Sequence, residues 1–404
     1  MKVAVVGLGV EGKKAVESLN KNGYYVYASD INPEIEIHSN DLLDVDLGFH
    51  DFDKIEKTDA ILISPSLWNS SLGKSLRSNK PLISDVLCEH KSIFTIGVTG
   101  TNGKTTTSFM IKEILEEAGL SVLMGGNAGG GFEGYMDLIL QASKNNYQIL
   151  LVEICDMTMD FASHFFDLDL IVVTNIGRDH LNFHKNLQNY RDNVCKFIEG
   201  KTAILNENDP YLVDLKKCAH KTIFFGFSKQ KIKLFGRFNL SNAAAAEKVA
   251  KCLKIPDDKI RSALENFNTV DGRLKTINIR KSNILIGKTD NVDAVVAVFN
   301  EVNFDAVIIG TPRKDEICRL DILDEIINYN PKFVGLFDGL DKTADDALKI
   351  LQDKGFEGSL KKFENIKDIV NCIYKFSDKY HNIFVGGNGQ SKIIEIENRL
   401  KDFK

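Results

Sequence analysis

One run constrains the fold more than any other: Ile96-Gly97-Val98-Thr99-Gly100-Thr101-Asn102-Gly103-Lys104-Thr105-Thr106-Thr107. Ser92 to Val98 is an apolar β run. Ser108 to Ala118 continues as a helix, with Phe109, Met110, Ile114 and Leu115 on one side and Gly119 as its stop. A loop of this kind cradles phosphate. Its backbone N–H groups point inward and the helix N-terminus adds positive potential. Lys104 reaches terminal phosphates, and the Thr105 hydroxyl can ligate magnesium. The bland alternative is a glycine-containing turn that binds nothing.

The loop is not a strict Walker A, because Val98 stands where that pattern needs glycine. Its form, Thr99-Gly100-Thr101-Asn102-Gly103-Lys104-Thr105-Thr106, resembles the nucleotide loop of the Mur ligase family, which comprises the peptidoglycan amino-acid ligases, folylpolyglutamate synthase and related ATP-dependent amide ligases. The resemblance implies ATP and Mg2+ as cofactors.

A chain of 404 residues is too long for one ordinary core and suggests two or three domains. The net charge of −5, with no basic domain, argues against a nucleic-acid binder. No apolar run approaches a membrane span, and the first residues read as strand rather than leader. Seven scattered cysteines without a CxxC pair suggest neither a disulfide framework nor a zinc knuckle. A cytoplasmic monomer is the expectation.

The N-terminal segment reads strand, glycine turn, helix: Val3-Ala4-Val5-Val6-Gly7-Leu8-Gly9-Val10-Glu11-Gly12, with a second strand from Tyr25 ending at Asp30. Gly7, Gly9, Gly12 and Asp30 form the dinucleotide fingerprint. Alone it favours NAD. Beside the loop at Lys104 it resembles the Rossmann-like opening of the D-type Mur ligases, where it serves a uridine-nucleotide substrate. A packing turn is the remaining alternative. Ala60 to Ile63 reads as a strand followed by Ser64-Pro65-Ser66, similar to the family's Ser-Pro-Gly, and Pro81 to Asp85 reads as a last short strand.

Beyond the central helix, Ser121 to Met124 is a strand leading to Gly125-Gly126-Asn127-Ala128-Gly129-Gly130-Gly131, a loop that permits close backbone approach to a ligand. Its Asn127 matches the family segment near substrate. Gln148 to Glu153 is an apolar strand ending in a carboxylate, well placed to hold magnesium. The family carries a metal-binding glutamate there, but Ile154-Cys155-Asp156 replaces its usual serines. Cys155 reads as a small packed residue.

Leu168 to Val173 leads to Thr174-Asn175-Ile176-Gly177-Arg178-Asp179-His180-Leu181-Asn182-Phe183-His184, the second strong family match. The resemblance gives His180 a magnesium-binding role, leaves His184 open, and marks Asn182 as a departure from Asp. The His180–His184 spacing also suits zinc on a helix, but no HExxH glutamate or third ligand is evident. Many family members carry a carbamylated lysine in the next helix. Lys196 is the nearest lysine after Tyr190, slightly out of register, so either it fills that role or the chain resembles members that lack it.

Phe238 and Asn239, in Gly236-Arg237-Phe238-Asn239, match the family's His-Asn near adenine, with Phe238 in place of the histidine. Gly272-Arg273 matches its Gly-Arg, Lys275 standing where an acid is usual, and the Arg273 fork suits phosphate. The last third alternates strands and helices as a small doubly wound α/β domain. Lys288, in Gly287-Lys288-Thr289-Asp290-Asn291, resembles a D-type substrate loop.

The expected architecture is α/β in three domains: Rossmann-like 1–90, a P-loop ATPase-type Mur ligase domain 91–271, and a doubly wound domain 272–404 closing over the site. The implied activity is ATP-dependent joining of a nucleotide-linked acid to an amino acid or amine through an acyl phosphate. Lys104, His180 and Lys196 would act on the reacting groups. Gly100 to Thr106, Asn239 and Arg273 would hold nucleotide, and Thr105, Glu153 and His180 the metal. The departures at Cys155-Asp156, Asn182, Phe238 and Lys275 point away from an ordinary bacterial D-glutamate ligase and toward a divergent cell-wall ligase, such as one for pseudomurein. A cofactor ligase acting on a polyglutamyl or tetrapyrrole acid, a non-catalytic ATP-binding regulator and an NAD-dependent oxidoreductase are the alternatives.

Overall fold

Short apolar runs set the strands, and glycine or polar turns end them. A computed structural model describes residues 1–402. The first sheet contains β1 (Lys2–Val6), β2 (Tyr25–Asp30), β3 (Leu43–Leu47) and β4 (Ala60–Ile63), all parallel in the order β3-β2-β1-β4. The second contains β5 (Phe94–Thr99), β6 (Val122–Gly126), β7 (Ile149–Glu153), β8 (Leu170–Val173), β9 (Thr202–Asn206) and β10 (Lys221–Phe225), parallel in the order β10-β9-β8-β5-β7-β6.

The third sheet contains β11 (Lys275–Ile279), β12 (Ser282–Ile286), β13 (Ala306–Gly310), β14 (Phe333–Phe337), β15 (Ser359–Phe363) and β16 (Asn382–Gly387), in the order β11-β12-β16-β13-β14-β15. Its β11 is the antiparallel edge. β5 lies between β7 and β8, which puts its C-terminal loop at a topological switch point. The helix Lys104–Glu117 buries Met110, Ile114 and Leu115, and Gly119 ends it at φ 83°.

Two expectations need correction. Pro81–Asp85 is not a strand: after one bridge, Leu82 to Ile61, the chain turns into a helix over Ile83–Val86. The Pro81 carbonyl accepts from Ile61, but Pro81 has no N–H to continue the ladder, and the Leu82 carbonyl is taken by Asp85 N–H. Nor are all the cysteines free, since Cys195 and Cys218 form a disulfide across 23 residues. Their spacing matches no framework pattern; the fold brings together the helix Leu187–Ile198 and the segment before β10.

The two seams between sheets differ in kind. One continuous apolar core holds Val5, Trp68 and Ile83 of the first segment together with Tyr135, Phe161 and Phe165 of the second. Trp68 meets Phe161 edge to face at 5.2 Å, and its indole N–H donates to Asp160 at 3.0 Å. The third sheet has its own two cores, against one of which Phe235 and Phe238 of the central segment pack. Polar contacts, among them Arg319 to Asp179 and Asn291 to Asn102, also tie it to the central domain's loops.

Candidate active site

One cleft of about 1280 Å³ lies where the strand C-terminal ends of all three sheets converge. The β5 loop forms its floor. Gly100 at φ 126° and Gly103 at φ 86° adopt left-handed backbone, and a Cβ would stand 2.2 Å from Thr174 Oγ1 at the first and 2.3 Å from Asn242 Oδ1 at the second. The Thr174-Asn175 motif grips this loop. Thr174 Oγ1 donates to the Asn102 carbonyl at 2.6 Å, Asn175 Nδ2 donates to the same carbonyl at 2.9 Å, and Asn175 Oδ1 accepts from Asn102 N–H at 2.9 Å. Thr101 is tied in as well, its Oγ1 accepting from Gly177 N–H at 2.8 Å.

Lys104 folds over the loop, donating to the Gly100 and Thr101 carbonyls at 2.7 and 2.9 Å. Thr105 Oγ1 accepts from Arg273 at 2.6 Å, so the loop helix and the hinge arginine meet at one hydroxyl. Thr106 also lines the cleft.

Glu153 ends β7 fully buried. Its Oε1 accepts from Asn127 at 3.0 Å, while Oε2 is buried with no hydrogen-bond partner. A carboxylate oxygen buried without a donor is costly unless a cation meets it. With the Thr105 hydroxyl, in the first turn of the helix Lys104–Glu117, lining the same cleft, this donor set fits a hard divalent cation.

His180 sits in left-handed backbone at φ 48°, an unusual conformation for a non-glycine residue and one that concentrates at functional sites. Its Nδ1 lies 3.0 Å from both oxygens of buried Asp156, and His184 Nε2 lies 2.8 Å from Asp156 Oδ2. Burial alone would raise the Asp156 carboxyl. The charge of His180 and the hydrogen bonds from both histidines hold it well below the usual range. Burial lowers His180, but Asp156 outweighs it and the net shift is upward. His184 stacks on Tyr190 at 4.1 Å, so it braces Asp156 from within the core. Cys155, Asp156 and His180 bring potential ligand atoms within 4.8 Å of one another, a grouping that leaves out His184 and so does not complete the helical His180–His184 pair. Burial pushes the Cys155 thiol up, in keeping with a packed residue.

Lys196 is corrected. It stands on the exposed outer face of the helix Leu187–Ile198, in a groove beside the disulfide and away from the cleft. The helix turns Tyr190 and Val194 inward, and Asn193 is the residue that reaches His184, at 3.3 Å. Asn239 lines the cleft, but its amide is already held by the Phe235 carbonyl and Asn242. Lys288 lines the cleft and pairs with Asp290 at 3.2 Å.

The N-terminal fingerprint divides. A Cβ on Gly7 would lie 2.1 Å from Ser64 Oγ, and one on Gly12 would lie 2.0 Å from the Gly7 carbonyl, so both glycines serve packing. Asp30 turns back on its own loop, accepting from Leu8 N–H at 2.6 Å and Asn32 N–H at 2.9 Å. Gly9 faces the cleft with open space around it. Glu11 bridges to the central segment, accepting from Ala128 N–H at 2.7 Å and Tyr135 N–H at 3.4 Å, and burial pushes its carboxyl up to about 7.

The third domain brings Asn291, from the loop that begins at Gly287, and Arg319, which no local pattern announced. Asn291 and Asn102 exchange amide hydrogen bonds at 2.9 and 3.0 Å. Arg319, buried, forks onto Asp179, with Nε to Oδ1 at 2.8 Å and an Nη to Oδ2 at 3.1 Å. Asp179 was visible within the second motif, and Asp156 as a departure from family serines. Arg319 lies in an isolated helical turn, Ile317–Arg319, without a motif around it.

A phosphate loop on a central parallel sheet, with a Rossmann-like sheet on one side and a third α/β domain closing from the other, defines a three-domain ligase architecture. Residues 98–233 match the Mur ligase middle domain family. The chain therefore carries a segment similar to that middle domain, over about a third of its length. It is 25% identical to the UDP-N-acetylmuramoylalanine--D-glutamate ligase of Lawsonia intracellularis over 97% of this chain and 94% of that one. The enzyme of the same name from Clostridioides difficile is also 25% identical, over 93% and 91%. A pseudomurein peptide ligase type C from Methanothermus fervidus has the same fold, with TM-score 0.63 at 22% identity over 99% of both chains. So does the MurF ligase of Thermotoga maritima solved with ADP, with TM-score 0.65 at 16% identity over 99% of this chain and 94% of that one.

Proposed function

We propose that this chain is an ATP-dependent carboxylate–amine ligase that adds an amino acid to a nucleotide-linked cell-wall precursor through an acyl phosphate. One observation carries the reading: Lys104, the orphaned Glu153 oxygen and the Arg273–Thr105 contact converge on one cleft walled by all three domains. Residues 1–90 serve as the acceptor wall, 91–271 as the nucleotide floor and 272–404 as the amine-side cover.

The γ-phosphoryl passes to the acceptor carboxylate, the amine attacks the acyl carbon, and amide, ADP and phosphate result. Such a reaction asks the protein chiefly for positioning and charge neutralisation. The amides of Gly100 to Gly103 cradle phosphate oxygens. Lys104 swings from its loop carbonyls to the transferring group, and Arg273 offers a second cation from the hinge. Thr105 and Glu153 would hold Mg2+, and bound there the ion would supply charge neutralisation; His180, with Asp156 on Nδ1 and Arg319 facing Nε2, keeps no ring nitrogen free for a second ion in this closed arrangement. Closure of the third domain excludes the water that would hydrolyse the acyl phosphate.

The test is phosphate release from Mg-ATP across a panel of acids and amines, UDP-linked amino acids and peptides among them, with Lys104→Ala as control. Release that needs both an acid and an amine, and falls about 10³-fold in the variant, supports the reading. Nucleotide binding without turnover for any pair would favour the regulator instead.

A further inference from the structure

We infer that Arg319 is a latch and positioning residue: from the third domain it holds Asp179 and the Nε2 edge of His180, so that domain closure and orientation of His180 are a single event. The geometry has two sides. From the central domain, Asp156 holds the Nδ1 edge of His180 at 3.0 Å. From the third domain, the Arg319 guanidinium reaches His180 Nε2 at 3.5 Å while it forks onto Asp179. Asp179 in turn accepts from the His180 backbone N–H at 3.0 Å. The arginine therefore touches both the ring and the residue that fixes its backbone.

The charges around Arg319 make it the keystone of this seam. Asp179 comes from the central domain, while Asp290 at 3.2 Å and Glu316 at 2.9 Å come from its own domain. Removing the guanidinium leaves these three acids on the seam, with Lys288 against Asp290 and His180 beside Asp179 as the remaining named groups that carry positive charge. In a partly dry cleft that arrangement repels, and the repulsion acts across the seam. A lysine at the same place keeps the charge but loses the planar fork, so it cannot hold both Asp179 oxygens while facing His180. Asn291 adds a weaker third-domain contact to Asp179 at 3.5 Å, which is consistent with Asp179 as the point on which that domain converges.

The test has two arms, and only the kinetic arm rests on the ligase reading. In small-angle scattering without ligands, Arg319→Ala and Asp179→Asn should show a larger radius of gyration than wild type, with Arg319→Lys between them. Glu316→Gln, which alters a partner within the third domain, should scatter as wild type does. In the kinetic arm, Arg319→Ala should lose about 10²-fold in kcat with a much smaller change in KM for ATP, because the nucleotide floor is untouched. Arg319→Lys should recover part of that loss. Wild-type scattering from both Arg319→Ala and Asp179→Asn would overturn the latch, as would opening in Glu316→Gln as large as in Arg319→Ala. Opening in the alanine variant with kcat unchanged would overturn the positioning role. Absence of turnover in wild type would count against the ligase reading and leave the scattering arm intact.

Discussion

The seam between the first and second domains is an apolar core cut by no gap, whereas the seam between the second and third is largely polar. Val5, Trp68 and Phe161 share one cluster. Across the cleft, Arg319 meets Asp179, Asn291 meets Asn102, and Arg178 meets Asp293 at 2.8 Å. Apolar interlocking is lost at great expense when packed surfaces part, while ion pairs and amides can exchange protein partners for water. The difference implies a first domain fixed to the second and a third that can lift from it.

The largest expected effect is at the fixed seam. Trp68→Ala removes an indole with 1% exposure, its contact with Phe161 and the donor to Asp160. It should lose about 3–5 kcal/mol in urea unfolding. A loss under about 1 kcal/mol would mean that the two domains do not share a core.

Glu11 probes the same seam by pH. Its carboxyl moves from 4.5 unfolded up to about 7 folded. Below about pH 4.5 both states carry the proton. Between there and about pH 7 the unfolded chain ionises first, so this group's contribution to stability falls as pH rises and then levels off. Relative to wild type, Glu11→Gln should gain on the order of 3 kcal/mol across that window, read as the difference between the two stability–pH curves. Parallel curves would contradict the assignment.

Gly9 sharpens the picture of a preformed wall. It has φ −64°, and nothing lies within 4 Å of the position a Cβ would take, so the fold does not require glycine there. Gly9→Ala should leave Tm unchanged and raise KM for the acceptor roughly tenfold, as close backbone approach to a ligand demands. The smallest effect belongs to the opening seam: Arg178→Ala, which breaks a half-exposed pair with Asp293, should shift unfolding by about 1 kcal/mol or less.

Much of this was legible because the decisive chemistry is local. The run from Ile96 to Thr107 encodes strand, loop and helix within itself, and Glu153 follows from an apolar run that ends in an acid. Edge strands were harder. Leu43–Leu47, Ser359–Phe363 and Lys275–Ile279 expose part of their length and carry Asp, Lys or Asn among their apolar residues. Glycine spacing in the first domain was visible, but not that Asp30 would be consumed by Leu8 and Asn32, since that depends on which way a side chain turns after its strand. Lys196 failed by a rotation about its helix, which put Asn193 toward His184 instead. Arg319 was unreadable because it acts on a residue 140 positions away.

The central claim is that this cleft makes an acyl phosphate, and isotope transfer tests it most directly. An acceptor labelled with 18O in its carboxylate is turned over with Mg-ATP and the amine, and the released phosphate is analysed by mass. The account predicts one carboxylate oxygen in each phosphate, because the bridging oxygen leaves with phosphorus when the amine attacks. Unlabelled phosphate, or release of AMP and pyrophosphate in place of ADP, would contradict it.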